Sequence, residues 1–126
     1  MAGEVGTIGW TDLTVDNAEE IRTFYSEVVG WKVAPVDMGG YDDFTMAPPA
    51  GGDAIAGVCH ARGVNTGLPT QWLMYVTVAD IAASARRCEE LGGTILSGPT
   101  GSEGKERTCV IQDPAGAVLA LYQPGS

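Results

Sequence analysis

The feature of this 126-residue chain that most constrains its fold is an internal repeat. The segment LTVDNAEEIRTFYSEVVGWKV (13–33) aligns without a gap with VTVADIAASARRCEELGGTIL (76–96), at an offset of 63 residues. With one gap, PPAGGDAIAG (48–57) also resembles DPAGAVLAL (113–121), which places Ala56 on Ala120. A repeat of this length indicates one supersecondary unit that occurs twice. Two such units can frame a shared cleft.

The pattern within each copy predicts the order β-α-β-β-β. Ile8–Val15 and Gln71–Val78 alternate as strands do, and each precedes a helix with apolar residues at helical spacing. We expect Asn17 and Asp80 to cap these helices. The apolar stripes that should face the core are Ile21, Tyr25, Val28 and Val29 in the first helix and Ile81, Ala85, Cys88 and Leu91 in the second. The sequence therefore predicts an α+β fold, a single domain (1–126) of two βαβββ modules in tandem, 1–62 and 63–126.

Composition and charge exclude several classes of partner. The formal net charge is −9, and an acidic surface disfavours binding to nucleic acids or anionic membranes. No apolar run approaches the ~20 residues of a membrane-spanning helix, and Met1–Thr7 lacks the features of a signal peptide. The three cysteines form no CxxC motif, which is typical of free thiols in a reducing compartment. We therefore predict a cytoplasmic protein.

Three landmarks resemble those of the vicinal oxygen chelate superfamily, which includes glyoxalase I, extradiol dioxygenases and bleomycin-resistance proteins. They are FYSEVVGWKV (24–33), the segment from Ala79 to ELGGTIL (ending at Leu96), and DPAGAVLAL (113–121). The resemblance extends over nearly the whole chain. It implies paired βαβββ modules whose curled mixed sheets surround a cleft. It also implies a homodimer, because members of the superfamily usually pair.

The resemblance further implies four metal-ligand positions, at which metal-using members carry His, Gln or Glu. Counted from the strand ends, these positions are Trp10, Ala56, Leu73 and Ala120. None of these side chains suits a divalent ion. Shifting the register by one residue gives Gly9 or Thr11, Ile55 or Gly57, Trp72 or Met74, and Leu119 or Leu121, which is no better a ligand set. We therefore predict no metal, no other cofactor, and neither glyoxalase nor dioxygenase activity.

Strand alternation predicts which side chains face the cleft. The ligand-binding candidates are Trp10, Thr14, Ala56, Val58, Leu73, Thr77, Ala120 and Tyr122, with Val118 beside them. Such a mixture of apolar, aromatic and hydroxyl groups is usual in sites for small molecules. The alternative is that these side chains only fill the space between sheets.

Asp12, Tyr75 and His60 are the candidates for acid–base chemistry. A carboxylate on an apolar face is costly unless it is paired, so Asp12 is either functional or a structural acid bonded to Tyr75 or Arg107. His60 could titrate near neutral pH, but its position at a strand end favours a structural or solvated role.

The predicted function is that of a metal-independent protein that binds a small apolar or aromatic molecule in an aromatic cleft. The rival hypothesis is a glyoxalase-like enzyme that uses Asp12, Tyr75 and His60 for acid–base chemistry without metal. A third is an accessory protein with no small ligand.

Overall fold

Both halves of the chain have the element order that the repeat predicts. The computed structural model describes residues 3–126. The first half contains β1 (Ile8–Val15), α1 (Ala18–Val29), β2 (Lys32–Asp37), β3 (Asp42–Ala47) and β4 (Ala56–His60). The second contains β5 (Trp72–Thr77), α2 (Ile81–Glu90), β6 (Thr94–Ser97), β7 (Arg107–Gln112) and β8 (Val118–Gln123). The α+β class is thus confirmed.

The chain divides into two compact units. Thr11–Trp72 form the first unit, and Leu73–Ser126 form the second unit together with the segment that ends at Trp10. In the second unit, the Gly6 N–H donates to the Thr77 carbonyl and the Thr77 N–H donates to the Thr7 carbonyl, which ties the N-terminal segment to β5. The module boundary at 62/63 stays a prediction.

The two units have the same strand connectivity. In the first unit, β2 pairs with β3 and β3 with β4, both antiparallel, and β4 pairs with β1 in parallel. In the second unit, β6 pairs with β7 and β7 with β8, both antiparallel, and β8 pairs with β5 in parallel. The connection between the two parallel strands of each unit contains a helix and two further strands, so it has the length that a parallel pair requires.

The two helices begin differently, although both have a residue type that favours caps. The Asp80 carboxylate accepts a hydrogen bond from the Ala83 N–H, whereas the Asn17 side chain makes no cap bond. The Gln123 side chain accepts the Ile81 N–H at 2.8 Å, so α2 has a second partner from β8. At the other end of α1, Gly30 has a φ of 87°, the left-handed conformation that glycine adopts without strain.

Each unit has its own apolar core between its helix and its sheet. In the first unit the core contains Leu13, Val15, Phe44, Met46, Ala56 and Val58, with Ile21 and Tyr25 of α1 packed against it. In the second unit, Ile81 and Ala85 of α2 pack with Cys109 and Leu121.

The predicted apolar stripes extend too far towards the ends of the helices. Val28, Val29 and Leu91 are exposed, and Cys88 is half-buried. These residues lie in or beyond the last helical turn.

Within residues 3–126, no helix combines the length and the apolar character that a membrane crossing requires.

Candidate functional site

Strands β5 and β8 carry five of the predicted site residues on one face: Leu73, Tyr75, Thr77, Ala120 and Tyr122. The register pairs Tyr75 with Ala120 and Thr77 with Tyr122. Alternation places Leu73 on the same side. Leu121, between the two β8 residues, packs in the core with α2, so these five side chains lie on the side away from α2. We name this surface the β5–β8 face. Val118, at the start of β8, lies two positions before Ala120 and is therefore on the same side of the strand.

Four of the five side chains of the β5–β8 face are buried. Leu73 is 1% exposed and Ala120 is fully buried, while Thr77 and Tyr122 are buried as well. Tyr75 is half-buried and is therefore the member of this face that is most accessible. Residue types alone do not choose between the pocket and the packing interpretations, because both predict apolar, small and aromatic residues here.

Tyr122 has a carboxylate partner that the sequence reasoning missed. Its hydroxyl donates to Glu106 Oε1 at 2.8 Å. Burial, reinforced by the hydrogen bond and the charge of Glu106, raises the pKa of the Tyr122 phenol, which therefore stays protonated as a donor. No sequence pattern marks Glu106, because it lies outside the strand, just before β7.

Trp10 belongs to the same unit as the β5–β8 face. It is half-buried, and alternation along β1 places it on the same side of the strand as Asp12 and Thr14. A half-buried indole retains surface that a guest molecule could contact.

In the first unit, Asp12 and Thr14 lie on the face of β1 away from α1. Their register partners on β4 are Gly57 and Cys59. Burial raises the pKa of the Cys59 thiol, and the carboxylates of Asp12 and Asp43 raise it further. A thiol in this setting remains protonated and is a poor nucleophile.

The predicted orientation of β4 is wrong. Ala56 and Val58 pack in the core with Leu13 and Val15, and His60 is the register partner of Val15. All three therefore face α1, on the opposite side of the sheet from Asp12. Ala56 and Val58 belong to the core between the sheet and α1, so they do not share a face with Asp12.

The cause of this error is the gap introduced into the repeat alignment. Asp12 pairs with Gly57 on β4, and Tyr75 pairs with Ala120 on β8. Asp12 and Tyr75 are 63 positions apart, and so are Gly57 and Ala120, so the offset at the last strand of each unit is 63. The position equivalent to Ala120 is therefore Gly57, and the gap reversed the alternation of β4.

His60 is held by two carboxylates on the helix side of the first unit. Its Nε2 lies 2.8 Å from Glu19 Oε2 and its Nδ1 lies 3.2 Å from Asp43 Oδ1. The His60 backbone N–H also donates to Asp43 Oδ1, at 2.8 Å. The Tyr41 ring packs edge-on against the imidazole, with centroids 5.2 Å apart. His60 thus connects the start of α1 to β3 and β4.

The two carboxylates favour the protonated form of His60. Burial by itself lowers the pKa of His60, but the hydrogen bonds to Glu19 and Asp43 and the charges of these groups outweigh it, so the pKa is raised. The hydrogen bond to His60 is the main reason that the pKa of Glu19 is lowered. The arrangement stabilises a charged network, and it leaves neither ring nitrogen for a substrate.

The donor set does not fit the divalent ion that the resemblance implies. With the orientation of β4 corrected, the four ligand positions hold Trp10, Gly57, Leu73 and Ala120, and none carries a suitable donor. Among residues 3–126, no group of three or more His, Cys, Asp or Glu side chains is placed to hold an ion. The carboxylates beside His60 contact opposite edges of its ring, so these three groups do not converge on one point.

Comparison with known proteins identifies relatives over nearly the whole chain. Residues 7–121 match the family model described as "Glyoxalase/Bleomycin resistance protein/Dioxygenase superfamily". The "Putative glyoxylase CFP32" of Mycobacterium bovis is 27% identical over 124 residues, which cover 98% of this chain and 46% of that protein. The "Anthracycline biosynthesis protein DnrV" of Streptomyces peucetius is 28% identical, with 95% of this chain and 48% of that protein covered. The chain thus spans about half the length of these curated relatives.

A solved structure shows the same fold. Methylmalonyl-CoA epimerase from Mycobacterium tuberculosis superposes with a TM-score of 0.57, at 16% identity, covering 100% of this chain and 94% of that one. At this identity the likeness concerns the fold alone.

Proposed function

Because the chain belongs to the Glyoxalase/Bleomycin resistance protein/Dioxygenase superfamily, we propose that it is a metal-independent small-molecule binding protein of that superfamily. The proposed binding surface is the β5–β8 face together with Trp10, all within the second unit. Thr14 of the first unit, also expected from the sequence to contact the ligand, stays a prediction.

One observation carries this proposal. The two positions of the β5–β8 face that correspond to metal ligands hold Leu73 and Ala120, and Tyr75 pairs directly with Ala120. A hydrophobic side chain and a methyl group replace the donors there, while a half-buried phenol lies beside them. The half-buried rings of Tyr75 and Trp10 offer dispersion contacts, which suit binding of an apolar or aromatic molecule better than Lewis-acid catalysis.

The acid–base enzyme is less well supported by the geometry. His60 faces α1, whereas Asp12 lies on the other side of the same sheet. Both ring nitrogens of His60 are already bonded to carboxylates. His60 therefore cannot act together with Asp12 and Tyr75 on one substrate without losing its structural partners.

Planar aromatic compounds are the ligands to test first, since one relative is named for anthracycline biosynthesis. The measurement is quenching of tryptophan fluorescence by an anthracycline aglycone. In the variant Trp31→Phe/Trp72→Phe, Trp10 is the one remaining tryptophan, so any quenching reports on its surroundings. We expect saturable quenching of this variant.

The matched control is Trp10→Phe, which keeps Trp31 and Trp72. These two rings pack together with Tyr25 in the first unit, with centroid separations of 5.2–6.0 Å, so they should show little response. Trp10→Ala should weaken ligand binding while the protein remains folded. If Trp10 were sealed core, its loss would instead cost about 3–5 kcal/mol. Such a loss of stability, together with an absence of quenching in the variant that keeps only Trp10, would show that Trp10 fills a core and does not line a binding site.

Metal independence has its own test. Elemental analysis after purification without chelators should find far less than one Zn²⁺, Ni²⁺, Mn²⁺ or Fe²⁺ ion per chain. About one ion per chain that survives dialysis would contradict the proposal.

A further inference from the structure

Each unit has a groove between its helix and the edge of its sheet, and the two grooves occupy equivalent places in the repeat. The groove on α1 is lined by Arg22, Thr23 and Ser26, among others. The groove on α2 is lined by the residues 63 positions later, Ala85, Arg86 and Glu89. Their volumes are similar, about 420 Å³ and 460 Å³. The fold therefore builds the groove twice, and any difference between the two reflects their side chains.

The side chains differ in charge. Besides Arg22, the α1 groove contains Glu27 and Asp42, which gives a formal charge of −1. The α2 groove contains Arg86, Arg107 and Glu89, which gives +1. In a chain of net charge −9 with only seven Lys and Arg, two arginines in one groove form a local exception.

The α2 groove also has an apolar lining. Ala82, Ala85, Ile95 and Pro99 contribute to it. Ile95 packs against the core of the second unit, so its position is fixed from below. A flat hydrocarbon body could cover these small side chains, and the volume lies within the range of sites for small molecules.

The two arginines are available to an anion. The ion pairs among residues 3–126 involve His60 and Arg87, and neither Arg86 nor Arg107 takes part in one. Arg107 is half-buried, and its Nε–H donates to the Thr100 carbonyl at 3.3 Å. This bond orients the guanidinium and leaves the N–H groups of its two terminal nitrogens, a geometry that matches a carboxylate.

We propose that the α2 groove is a second ligand site, which binds a small planar carboxylate by placing its ring on Ala82, Ala85 and Ile95 and its carboxylate on Arg107 and Arg86. It lies on the α2 side of the sheet, opposite the β5–β8 face, and is independent of the function proposed above. In the α1 groove, the Arg22 guanidinium instead stacks on the Phe44 ring at 4.4 Å, and two carboxylates repel an anion.

The test is a titration with naphthalene-2-carboxylate, followed by NMR of the backbone amides and the arginine Nε–H groups. We expect saturable shifts at Arg107 and along α2 and β6, with little change at α1. The neutral naphthalene-2-carboxamide should bind about tenfold more weakly, because it loses a charge-assisted hydrogen bond. Rising salt concentration should weaken binding of the carboxylate more than binding of the carboxamide.

Variants separate the site from general electrostatics. Arg107→Gln should weaken binding about tenfold and Arg86→Gln about threefold, since Arg86 is exposed. Glu89→Gln should strengthen it. Arg87→Gln is the matched control, because Arg87 pairs with Glu90 and does not line the groove; it should leave affinity unchanged. The proposal would be overturned if Arg87→Gln weakened binding as much as Arg107→Gln, or if the carboxamide bound as tightly as the carboxylate. It would also be overturned if the NMR shifts were confined to the β5–β8 face or to α1. The wild-type shift map decides even if Arg107→Gln fails to fold.

Discussion

At the scale of single residues, His60 illustrates how the environment decides what a side chain does. As the one histidine of the chain, it was a reasonable candidate for acid–base chemistry. Its side chain is 7% exposed and lies between a buried carboxylate and an exposed one. The imidazolium therefore contributes to folding through two charge-assisted hydrogen bonds, and catalysis would require breaking one of them.

The pH dependence of stability follows from the directions of the two pKa shifts. The pKa of His60 is raised above 6.5 in the folded state, so its contribution is complete below 6.5 and is lost as pH rises through the raised value. The pKa of Glu19 is lowered below 4.5, so its contribution is present above 4.5 and is lost as pH falls through the lowered value. Both contributions are thus complete between pH 4.5 and 6.5.

We expect His60→Gln to lower the free energy of unfolding by about 1.5–3 kcal/mol at pH 6, because hydrogen bonds to charged groups are lost. The difference from wild type should be smaller at pH 9 than at pH 6, because the contribution of the imidazolium is lost as pH rises through the raised pKa of His60. Urea unfolding at the two pH values measures it. Glu19→Gln, which changes the exposed partner, should have a smaller effect than Asp43→Asn, which changes the buried one. A His60→Gln effect equal at pH 6 and pH 9 would contradict the assignment of charge to His60.

At the scale of elements, the two helix starts provide an internal comparison. Asp80 makes a side-chain cap bond of 3.1 Å to Ala83, and Asn17 makes none. The sequence predicted a cap for both because Asn and Asp have similar preferences at this position. The backbone decides the outcome: Asp80 is extended, with φ −140° and ψ 100°, whereas Asn17 has ψ 54°.

Asp80→Ala should therefore destabilise the protein by about 1 kcal/mol, and Asn17→Ala by less than about 0.5 kcal/mol. Thermal or urea unfolding of the two variants gives the comparison directly. Gln123→Ala should add to the cost at α2, because the Ile81 N–H loses its partner. Equal costs for Asp80→Ala and Asn17→Ala would show that the cap bond contributes nothing.

At the scale of the whole molecule, the homodimer remains a prediction. Two chains of net charge −9 repel each other, so association should strengthen as salt screens this repulsion. Sedimentation equilibrium at micromolar concentration should give twice the 13.1 kDa of one chain at about 0.15 M ionic strength. Dilution into low salt should shift the equilibrium towards monomer. A monomer at every salt concentration would refute the prediction.

The sequence by itself determined the fold class, the number of helices and strands, and the duplication. These follow from local signals: periodicities of 2 and 3.6 residues, glycine at turns, and an offset of 63 positions that the strand register confirms. It also predicted correctly that the β5 and β8 candidates share one face. All of this depends on alternation within a strand, which needs no knowledge of distant partners.

Only the tertiary structure decided which face of β4 points where and which groups surround His60. Alternation reverses when the register shifts by one residue, so a single misplaced gap moved Ala56, Val58 and His60 to the wrong side. Glu19 and Asp43 come from different elements, 41 and 17 positions away from His60, and no local pattern announces their convergence. The charges of the α2 groove are equally invisible in the sequence, because Arg86 and Arg107 meet only when α2 packs beside β7. Side chains distant in sequence become neighbours through packing, and packing is what single-sequence patterns do not contain.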